Sequence, residues 1–261
     1  MIIRIQFCQL LAGVALALLC SSVSYACQLA SVWEPYSPYQ YQSEDGTITG
    51  LDIDLLRAVA KEASCTIQFE NIPWKRALLL LKEGDLHIAS GASKTHEREQ
   101  YAFFSDAYRE EIMHLYVQKR YRKKWRFTDL EGLSKSTARV GTVRGYSYGS
   151  EFEALRNVEP FKSRITQVLS DEQNLDRLMA GREDLALIER FVASNLISRI
   201  KDGHSKIAPM PINVKTGNIH FLFSKLAVKP DVVSQFNQAL IRVIKNGQYQ
   251  AIVDRYLGNT D

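Results

Sequence analysis

The residues best suited to chemistry lie in the stretch SGASKTHERE, residues 90–99. Gly91 lets a ligand approach the backbone closely, Ser93 supplies a hydroxyl, and Arg98 carries a planar set of N–H donors. Donors of this kind, placed after a predicted strand and before a predicted helix, are suited to gripping a carboxylate. The structural alternative is a capped helix start with a solvent-exposed arginine, and both interpretations stay open at this point.

A second candidate is Ser147, the centre of the sequence GYSYG at residues 145–149. A G-x-S-x-G pattern between a strand and a helix is typical of the nucleophile elbow of a serine hydrolase. Acids and histidines follow it in the chain order of such an enzyme: Asp184 or Glu189, then His204 or His220. Because no HGGG-like stretch precedes Ser147 to supply an oxyanion hole, we favour binding over hydrolysis.

Metal, nucleotide and nucleic-acid chemistry find no support in the sequence. The histidines show no HExxH or Cys/His spacing, and no P-loop or dinucleotide fingerprint is present, so we expect no metal and no cofactor. The net charge is only +4, and the basic residues are scattered except for a cluster at residues 119–126. We interpret that cluster as a solvated face and expect no nucleic-acid partner. The histidines concerned are His87, His96, His114, His204 and His220.

The elements that must position these residues alternate between β-rich and helical segments from Ala30 onward. That order is typical of an α/β protein with a largely parallel sheet. In the first unit, an amphipathic helix is followed by a strand, a helix stopped by Gly84 and another strand. The helical face comprises Leu55, Leu56, Val59, Ala60 and Ala63, and the three later segments are residues 66–72, 74–82 and 86–91.

A second unit repeats the pattern further along the chain. Ser150 and Glu153 predict a capping box at the start of its first helix, and Ser170 caps a second helix that Gly181 ends. Its strands are predicted at residues 139–143, 165–169 and 184–189. Two similar units predict two lobes.

The segments between and after the two units predict a chain that crosses between the lobes twice. Strand-like runs cover residues 111–120 and 218–225, and a helix over residues 231–245 is expected to return to the first unit. The apolar face of that helix is predicted to comprise Val233, Phe236, Leu240 and Ile244. A twice-crossed, two-lobed protein has a cleft and a hinge, the geometry of closure around a small ligand.

The N-terminus has the pattern of a secretory signal peptide. One arginine is followed by an apolar run at residues 10–19 and by small and polar residues that end at Ala26, which predicts cleavage before Cys27 and export. The mature chain then keeps only Cys27 and Cys65, which predicts a disulfide in an oxidising compartment. The alternative is a lipid anchor on Cys27 with Cys65 free.

The motifs resemble, in order, those of the polar amino-acid-binding family, family 3, of periplasmic solute-binding proteins of ABC transporters. The resemblance covers essentially the whole mature chain. The segments that carry it are WEPYSPYQY, GLDIDLLRAVAKEA, PWKRAL, SGASKTHERE with YAFFSDAYRE, VGTVRGYSYG, DLALIE and FNQALIRVIKNGQYQAIVDRYLG. It implies a type II periplasmic-binding-protein fold, with two α/β lobes joined by a two-strand hinge. Lobe 1 would comprise residues 27–110 and 214–261, and lobe 2 residues 111–213.

The resemblance also implies roles for particular residues. Tyr36 and Trp74 would form an aromatic wall, while Gly91, Ser93 and Arg98 would hold the ligand carboxylate. From the second lobe, Ser147 would contact the carboxylate side and Glu189 would hold the α-ammonium group. Each charge that enters a closed cleft needs a partner, because an unpaired buried charge costs several kcal/mol.

Two positions depart from the family pattern. Trp33 stands where many members have an aspartate, which makes a cationic ligand side chain less favoured. Glu189 replaces the commoner aspartate, and its longer arm suits a smaller or differently placed ligand.

We therefore expect a monomeric periplasmic binding protein that captures an amino acid or a similar carboxylate-bearing solute and delivers it to an ABC transporter permease in the inner membrane. The alternatives are an enzyme on the same fold, either a dehydratase that uses Glu189 or a serine hydrolase that uses Ser147, and a sensor that acts through a partner.

Overall fold

The structure is a computed structural model, and it describes residues 27–258. The predicted signal peptide, residues 1–26, lies outside the described residues.

Strands and helices alternate through both predicted units. The strands are β1 (Cys27–Trp33), β2 (Tyr41–Gln42), β3 (Ile48–Thr49), β4 (Cys65–Asn71), β5 (Ile88–Ser93), β6 (Ala102–Phe104), β7 (Arg109–Gln118), β8 (Val140–Val143), β9 (Ile165–Val168), β10 (Leu185–Glu189) and β11 (Ile207–Ser224). The helices are α1 (Leu51–Glu62), α2 (Trp74–Glu83), α3 (His96–Glu99), α4 (Leu130–Lys135), α5 (Gly149–Arg156), α6 (Asp171–Met179), α7 (Arg190–Ser198), α8 (Gly203–Lys206), α9 (Pro230–Lys245) and α10 (Gln248–Leu257). Two 3₁₀ helices cover Lys119–Lys124 and Lys162–Arg164.

Local signals explain where most of these helices begin and end. The Ser170 hydroxyl accepts a hydrogen bond from the Gln173 N–H and caps α6, and Asp129 caps α4 in the same way through the Gly132 N–H. Gly84 ends α2 with a φ of 87°, a left-handed conformation that costs a glycine nothing. The predicted stops and most predicted starts are therefore confirmed.

The predicted capping box at Ser150 is wrong, because the N-cap of the helix lies two residues earlier, at Tyr148. Helix α5 begins at Gly149, so Ser150 lies inside it and is exposed. The Glu153 carboxylate still accepts the Tyr148 N–H at 3.1 Å, which is half of a capping box. Position 149 needs glycine, because a Cβ there would lie only 2.3 Å from the Lys215 carbonyl oxygen.

The sheets are mixed rather than largely parallel, so that expectation is wrong. The β1–β4, β8–β9 and β8–β10 pairs are parallel, but β7 and β11 are antiparallel to each other and to their remaining neighbours. The main sheet has the order β5-β11-β7-β10-β8-β9, and β6 also pairs with β11. The two long antiparallel strands therefore connect the first unit, at β5, to the second unit, at β10.

Strand β11 has 18 residues, more than twice the length expected from residues 218–225. The first half of β11 alternates buried and exposed positions, as a strand does. The sequence does not predict a strand there, because Pro209 and Pro211 each lack the backbone N–H that a strand normally donates. Both prolines are exposed, and the register with β7 shifts between Pro209 and Asn213. A second register shift follows between Lys215 and Gly217.

The C-terminal helices return to the first unit as expected, with two corrections. Helix α9 packs on α1 and buries Val233, Phe236 and Leu240, but Ile244 is 47% exposed and does not belong to the buried face. Val243 takes the inner position instead. Helix α10, which also packs on α1, was not predicted from the sequence.

Cys27 and Cys65 form a disulfide, as the sequence predicts. They lie directly opposite each other in the parallel register of β1 and β4, so the bond joins two neighbouring strands. The sequence separation is 38 residues, and closing a loop of that size stabilises the fold by about 2–4 kcal/mol.

In the part of the chain from Cys27 to Gly258, none of the helices has both the length and the apolar character needed to cross a membrane.

Candidate functional site

A cavity that is partly open to solvent lies between the two units at the carboxyl ends of several strands. Ligands of open α/β sheets bind at this edge, because the loops that follow the strands converge there. The residues that line the cavity are Glu34, Tyr36, Gln40, Trp74, Ser90, Gly91, Ser93, Arg98, Glu111, Met113, Tyr146 and Ser147.

Six of the seven residues predicted to bind the ligand line this one cavity: Tyr36, Trp74, Gly91, Ser93, Arg98 and Ser147. The seventh, Glu189, is not among the lining residues. The structure therefore places most of the predicted site together, and the roles of these residues stay a prediction.

Gly91 and Ser93 are presented at the end of β5, in close contact with the residues behind them. Gly91 has a φ of 83°, and its N–H donates to the Tyr108 hydroxyl at 2.8 Å. A Cβ at this position would lie 3.3 Å from Asp52 Oδ2 and strain the backbone. Glycine therefore keeps the backbone turned toward the cavity.

Arg98 is held in the wall of the cavity by α3. The Thr95 hydroxyl accepts the Arg98 N–H and caps the helix, so the helix start is capped as the structural alternative proposed. The arginine itself, however, is only 5% exposed. Its guanidinium donates from Nη1 to the Ser93 carbonyl at 2.7 Å and from Nη2 to the Gly145 carbonyl at 2.8 Å.

The charge of Arg98 is not neutralised by the residues around it. Within residues 27–258, no carboxylate lies within 4.0 Å of the Arg98 guanidinium. The guanidinium donates to carbonyl oxygens, and its central carbon lies 5.6 Å from the centre of the Trp74 ring. Burial lowers the pKa of Arg98 from its ordinary value, and nearby acidic groups oppose this. A buried cation that touches only neutral groups is suited to receive a carboxylate.

Two carboxylates that the sequence analysis did not select line the same cavity. Glu34 accepts the Trp74 N–H at 2.8 Å and the Tyr146 hydroxyl at 2.8 Å. Glu111 accepts the hydroxyls of Tyr36 at 3.1 Å and Thr216 at 3.0 Å. Burial raises the pKa of both acids above the ordinary range. They offer negative charge to a ligand cation.

Neither glutamate had a sequence signal strong enough to single it out. Glu34 follows Trp33, the residue that stands where many family members have an aspartate. In the structure, Glu34 rather than Trp33 lines this cavity. Trp33 lines a separate cavity between the two units. Glu111 begins the predicted strand at residues 111–120 and is buried near the start of β7.

Glu189 lies behind the cavity rather than in its wall. Its Oε2 accepts the N–H groups of Phe191 and Val192 at 2.7 and 2.9 Å and caps α7. It is opposite Met113, which lines the cavity, in the register of β10 and β7. Burial raises the pKa of Glu189 to about 7, although its N–H partners oppose this. Direct contact with a ligand ammonium stays a prediction.

The aromatic wall contains one residue more than predicted. Tyr36 and Trp74 are both buried, and Tyr146 lies against Tyr36 edge to face with ring centroids 5.8 Å apart. The hydrogen bond that the Tyr146 hydroxyl donates to Glu34 links the second unit to the first. The Arg98 bond to the Gly145 carbonyl makes a second link of this kind. Both links lie at the cavity, because Glu34, Arg98, Gly145 and Tyr146 all belong to its wall or adjoin it.

Ser147 lines the cavity, but a serine hydrolase also needs a base beside the nucleophile. No histidine is found among the lining residues in the described chain. The nearest elements supply carboxylates and tyrosines instead.

A buried ion pair supports the carboxylate side of the site from behind. Arg109, the first residue of β7, donates from Nε and Nη2 to the two oxygens of Asp52 at 2.8 and 2.9 Å. Its guanidinium lies 3.9 Å from the Tyr39 ring and 3.6 Å from Glu111. Burial alone would lower the pKa of Arg109, but the Asp52 carboxylate together with Tyr39 and Tyr108 outweighs burial and raises this pKa well above the ordinary value.

We expect the stability of the ligand-free protein to fall as the pH rises through the pKa of Glu189. Folding raises this pKa from 4.5 to about 7, so the folded chain holds the proton more tightly than the unfolded chain. The stability that comes from this tighter proton binding is fully present below pH 4.5 and is lost as the pH rises through about 7. Urea unfolding over this range should show a loss of about 3 kcal/mol from this group.

The matched variants are Glu189→Gln, which should flatten this part of the profile, and Glu97→Gln, an exposed glutamate that should leave it unchanged. A Glu189→Gln profile identical to that of the wild type would assign the titration to another buried carboxylate, of which Glu34, Glu111 and Asp171 are the neighbours with raised pKa values.

Several known proteins with similar sequences or structures are named as amino-acid-binding proteins. The chain is 26% identical over 223 residues to a probable histidine-binding protein of Neisseria gonorrhoeae, covering 85% of this chain and 79% of that protein. An ancestral arginine-binding protein bound to arginine superposes with a TM-score of 0.75 at 20% identity, covering 88% of this chain and 98% of the other. An amino acid ABC transporter substrate-binding protein from Streptococcus pneumoniae, bound to L-arginine, has a TM-score of 0.71 at 22% identity, covering 88% and 93%.

The structural matches confirm the predicted fold, the two-lobed type II fold of periplasmic binding proteins. The model of one family matches residues 30–259, which is most of the chain. Its description agrees with the resemblance drawn from the motifs and with a location outside the cytoplasm. The chain belongs to the bacterial extracellular solute-binding proteins, family 3.

Proposed function

We propose that this protein binds an amino acid in the cleft between its lobes, in the periplasm, and delivers it to the permease of an ABC transporter in the inner membrane. The observation that carries the proposal is the buried guanidinium of Arg98. It faces a cavity that also contains two carboxylates, Glu34 and Glu111. A zwitterion meets both requirements, because its carboxylate pairs with the arginine and its ammonium with the acids.

The ligand carboxylate would lie against Arg98 and the end of β5. Ser93 and Ser147 supply hydroxyls from the two sides of the cavity, and Gly91 leaves room for the ligand to approach. Tyr36 and Trp74 would cover the apolar part of the ligand. Micromolar affinity corresponds to about −8 kcal/mol, a value that two satisfied charges and an aromatic wall can supply.

The ammonium would be held by Glu111, with Glu34 and Glu189 near it. Glu111 already joins β7 to β11 through the Thr216 hydroxyl, so a ligand that contacts Glu111 also contacts the hinge strands. This supports the division into lobe 1, residues 27–110 and 214–261, and lobe 2, residues 111–213. Closure would then carry Gly145, Tyr146 and Ser147 onto the ligand, and a monomer suffices for this mechanism.

The charge of the cavity favours a cationic amino acid over a neutral one. Two lining carboxylates face a single lining guanidinium. Glu111 also lies 3.6 Å from Arg109, but that arginine is already bonded to both oxygens of Asp52, so a neutral zwitterion leaves an excess of negative charge. Glu34 therefore supplies the carboxylate that is missing at position 33. We propose a cationic ligand side chain, in place of the expectation, drawn from Trp33, that such a side chain is less favoured. Relatives named for arginine and histidine are consistent with this choice.

Binding rather than catalysis is the function of this family, and the site agrees. The Ser147 hydroxyl has no histidine beside it in the cavity wall. A dehydratase would need a proton-transferring group at the ligand, and Glu189, the acid considered for that role, is engaged as the cap of α7.

A ligand panel tests the proposal. Arginine, lysine, histidine, glutamine and glutamate are added separately to the exported chain, and thermal unfolding and calorimetric titration are recorded, with a product assay on every mixture. A bound ligand at 100 times its Kd should add about 2.7 kcal/mol and raise the Tm by about 5–10 °C. Agmatine, which keeps the guanidinium of arginine but lacks the carboxylate, is the matched control and should give no shift.

The outcomes separate the parts of the proposal. Tighter binding of arginine or lysine than of glutamine supports the cationic ligand, and the reverse order contradicts that step only. Equal shifts with agmatine and arginine would contradict the role of Arg98 in holding a carboxylate. Turnover of any compound would contradict the assignment as a binding protein.

A further inference from the structure

The basic cluster at residues 119–126 forms an exposed surface that the binding site does not use. Six of these eight residues are lysine or arginine, and the 3₁₀ helix Lys119–Lys124 that carries most of them follows the end of β7. All six are exposed. We call this surface the basic patch; it comprises Lys119, Arg120, Arg122, Lys123, Lys124 and Arg126.

The basic patch lies at the end of the second lobe opposite the cleft. Strands β8 and β10 are parallel neighbours, and their carboxyl ends lead to Ser147 and Glu189. Their amino ends begin next to Arg139 and Asp184, which line a groove together with Arg120 and Lys124 of the patch. The two sites are therefore separated by the length of the strands, and a partner on the patch leaves the cleft free.

Few acidic residues compensate the patch. Asp184 is shared between Arg139, at 3.0 Å, and Lys124, at 3.9 Å, and the other acid of the groove, Glu183, is paired with Arg177 at 2.6 Å. Between Cys27 and Gly258, the remaining five cations of the patch have no carboxylate within 4.0 Å. Exposed Lys201 and Lys206 add positive charge where α8 packs against the 3₁₀ helix.

One exposed aromatic residue, Tyr121, accompanies the lysines and arginines of the patch, and a buried one, Trp125, anchors the patch to the lobe. Trp125 is 8% exposed and fixes the end of the 3₁₀ helix in the lobe, with Lys124 above its ring at 4.3 Å. Tyr121 projects instead, 48% exposed, with Arg120 over its ring at 4.7 Å. Amphipathic aromatic rings among lysines and arginines are typical of surfaces that lie at lipid headgroups.

We propose that the basic patch docks the second lobe on an anionic phospholipid bilayer, with lipid phosphates against Arg120, Arg122 and Lys123 and with Tyr121 at the headgroup level. The family's location outside the cytoplasm places the chain where such a surface is available. Docking by this end keeps the cleft facing away from the headgroups and holds the protein close to the membrane. The inference does not depend on which solute the cleft binds.

Vesicle binding tests the proposal directly. The exported chain is mixed with vesicles of phosphatidylcholine that contain phosphatidylglycerol, or with phosphatidylcholine alone, and the bound fraction is measured by sedimentation. The triple variant Arg120→Gln, Arg122→Gln, Lys123→Gln should lose about fivefold in partition for each charge removed. Raising the salt to about 1 M, where the Debye length falls to about 3 Å, should release the wild type.

The matched control removes the same charge from the first lobe. Lys82, Lys229 and Lys245 are exposed, and the triple change of these residues to glutamine should leave vesicle binding unchanged within about twofold. Equal losses in the two triple variants would show only a response to net charge and overturn the proposal. The proposal would also be overturned if the wild type did not bind the vesicles, or if it bound phosphatidylcholine vesicles equally well with and without phosphatidylglycerol. The affinity for amino acids should be the same in the wild type and in both triple variants.

Discussion

Replacing Arg98 by alanine is expected to abolish solute binding while leaving the fold intact. The guanidinium is buried, has carbonyl acceptors and lies against Trp74 in the wall of the cavity. Without it, a ligand carboxylate that enters the closed cleft has no cation to pair with. Losing one partner of a buried charge pair costs about 2–5 kcal/mol, so affinity measured by calorimetry should fall by about 30- to 5,000-fold.

Three further variants separate charge from packing. Arg98→Met keeps an extended side chain beside Trp74 but removes the charge, and it should bind as poorly as Arg98→Ala. Arg98→Lys keeps the charge without the planar set of donors and should lose less. Arg144→Ala removes an exposed arginine adjacent to Gly145 and is the matched control, with affinity within about threefold of the wild type. Wild-type affinity in Arg98→Met would contradict the proposed site.

The elements that the sequence predicted well are those whose signals are local. The helix starting after Ser170 and the helix ended by Gly84 each depend on a side-chain or backbone property of one residue, and both are where expected. The pairing of Cys27 with Cys65 followed from their being the two cysteines outside the predicted signal peptide. Such features need no knowledge of distant parts of the chain.

The elements predicted poorly depend on partners far away in the sequence. Strand β11 extends through Pro209 and Pro211 because β7 pairs with it from Ile207 to Ile219. Ile244 is exposed because the position of α9 on α1 selects Val243 as the buried residue. Neither fact is encoded in the pattern of the segment itself.

The candidate site shows the same division. Arg98 and Ser93 are close in sequence and follow one strand, so a single stretch indicated them. Glu34, Glu111 and Tyr146 come from three separate segments and meet only when the lobes are in contact, through the bonds of Tyr146 to Glu34 and of Tyr36 to Glu111. The family resemblance supplied Ser147 and Glu189, which no local signal would have joined to Arg98.

Replacing Asp52 by alanine should cause a large loss of stability, because it leaves the Arg109 guanidinium buried without its principal partner. The side chains of Arg109 and Asp52 are 6% and 0% exposed, and two hydrogen bonds join them. Breaking a buried ion pair from one side costs about 3–5 kcal/mol, since the remaining charge is uncompensated. Urea unfolding of Asp52→Ala should therefore show a free energy of unfolding lower by that amount.

The same pair should be nearly dispensable for stability when both charges are removed. In the double variant Asp52→Leu, Arg109→Met no charge is left buried, and most of the stability should return, because a buried pair contributes little more than apolar residues of similar volume. Glu131→Gln, which removes the exposed bridge to Lys135, is the control and should change stability by less than about 0.5 kcal/mol.

Amino-acid affinity should remain reduced in the double variant, because Arg109 also lies 3.6 Å from Glu111 and Asp52 packs behind Gly91. A double variant as unstable as Asp52→Ala would show that the pair is held for packing rather than for charge, and full affinity in it would show that the pair does not position the site.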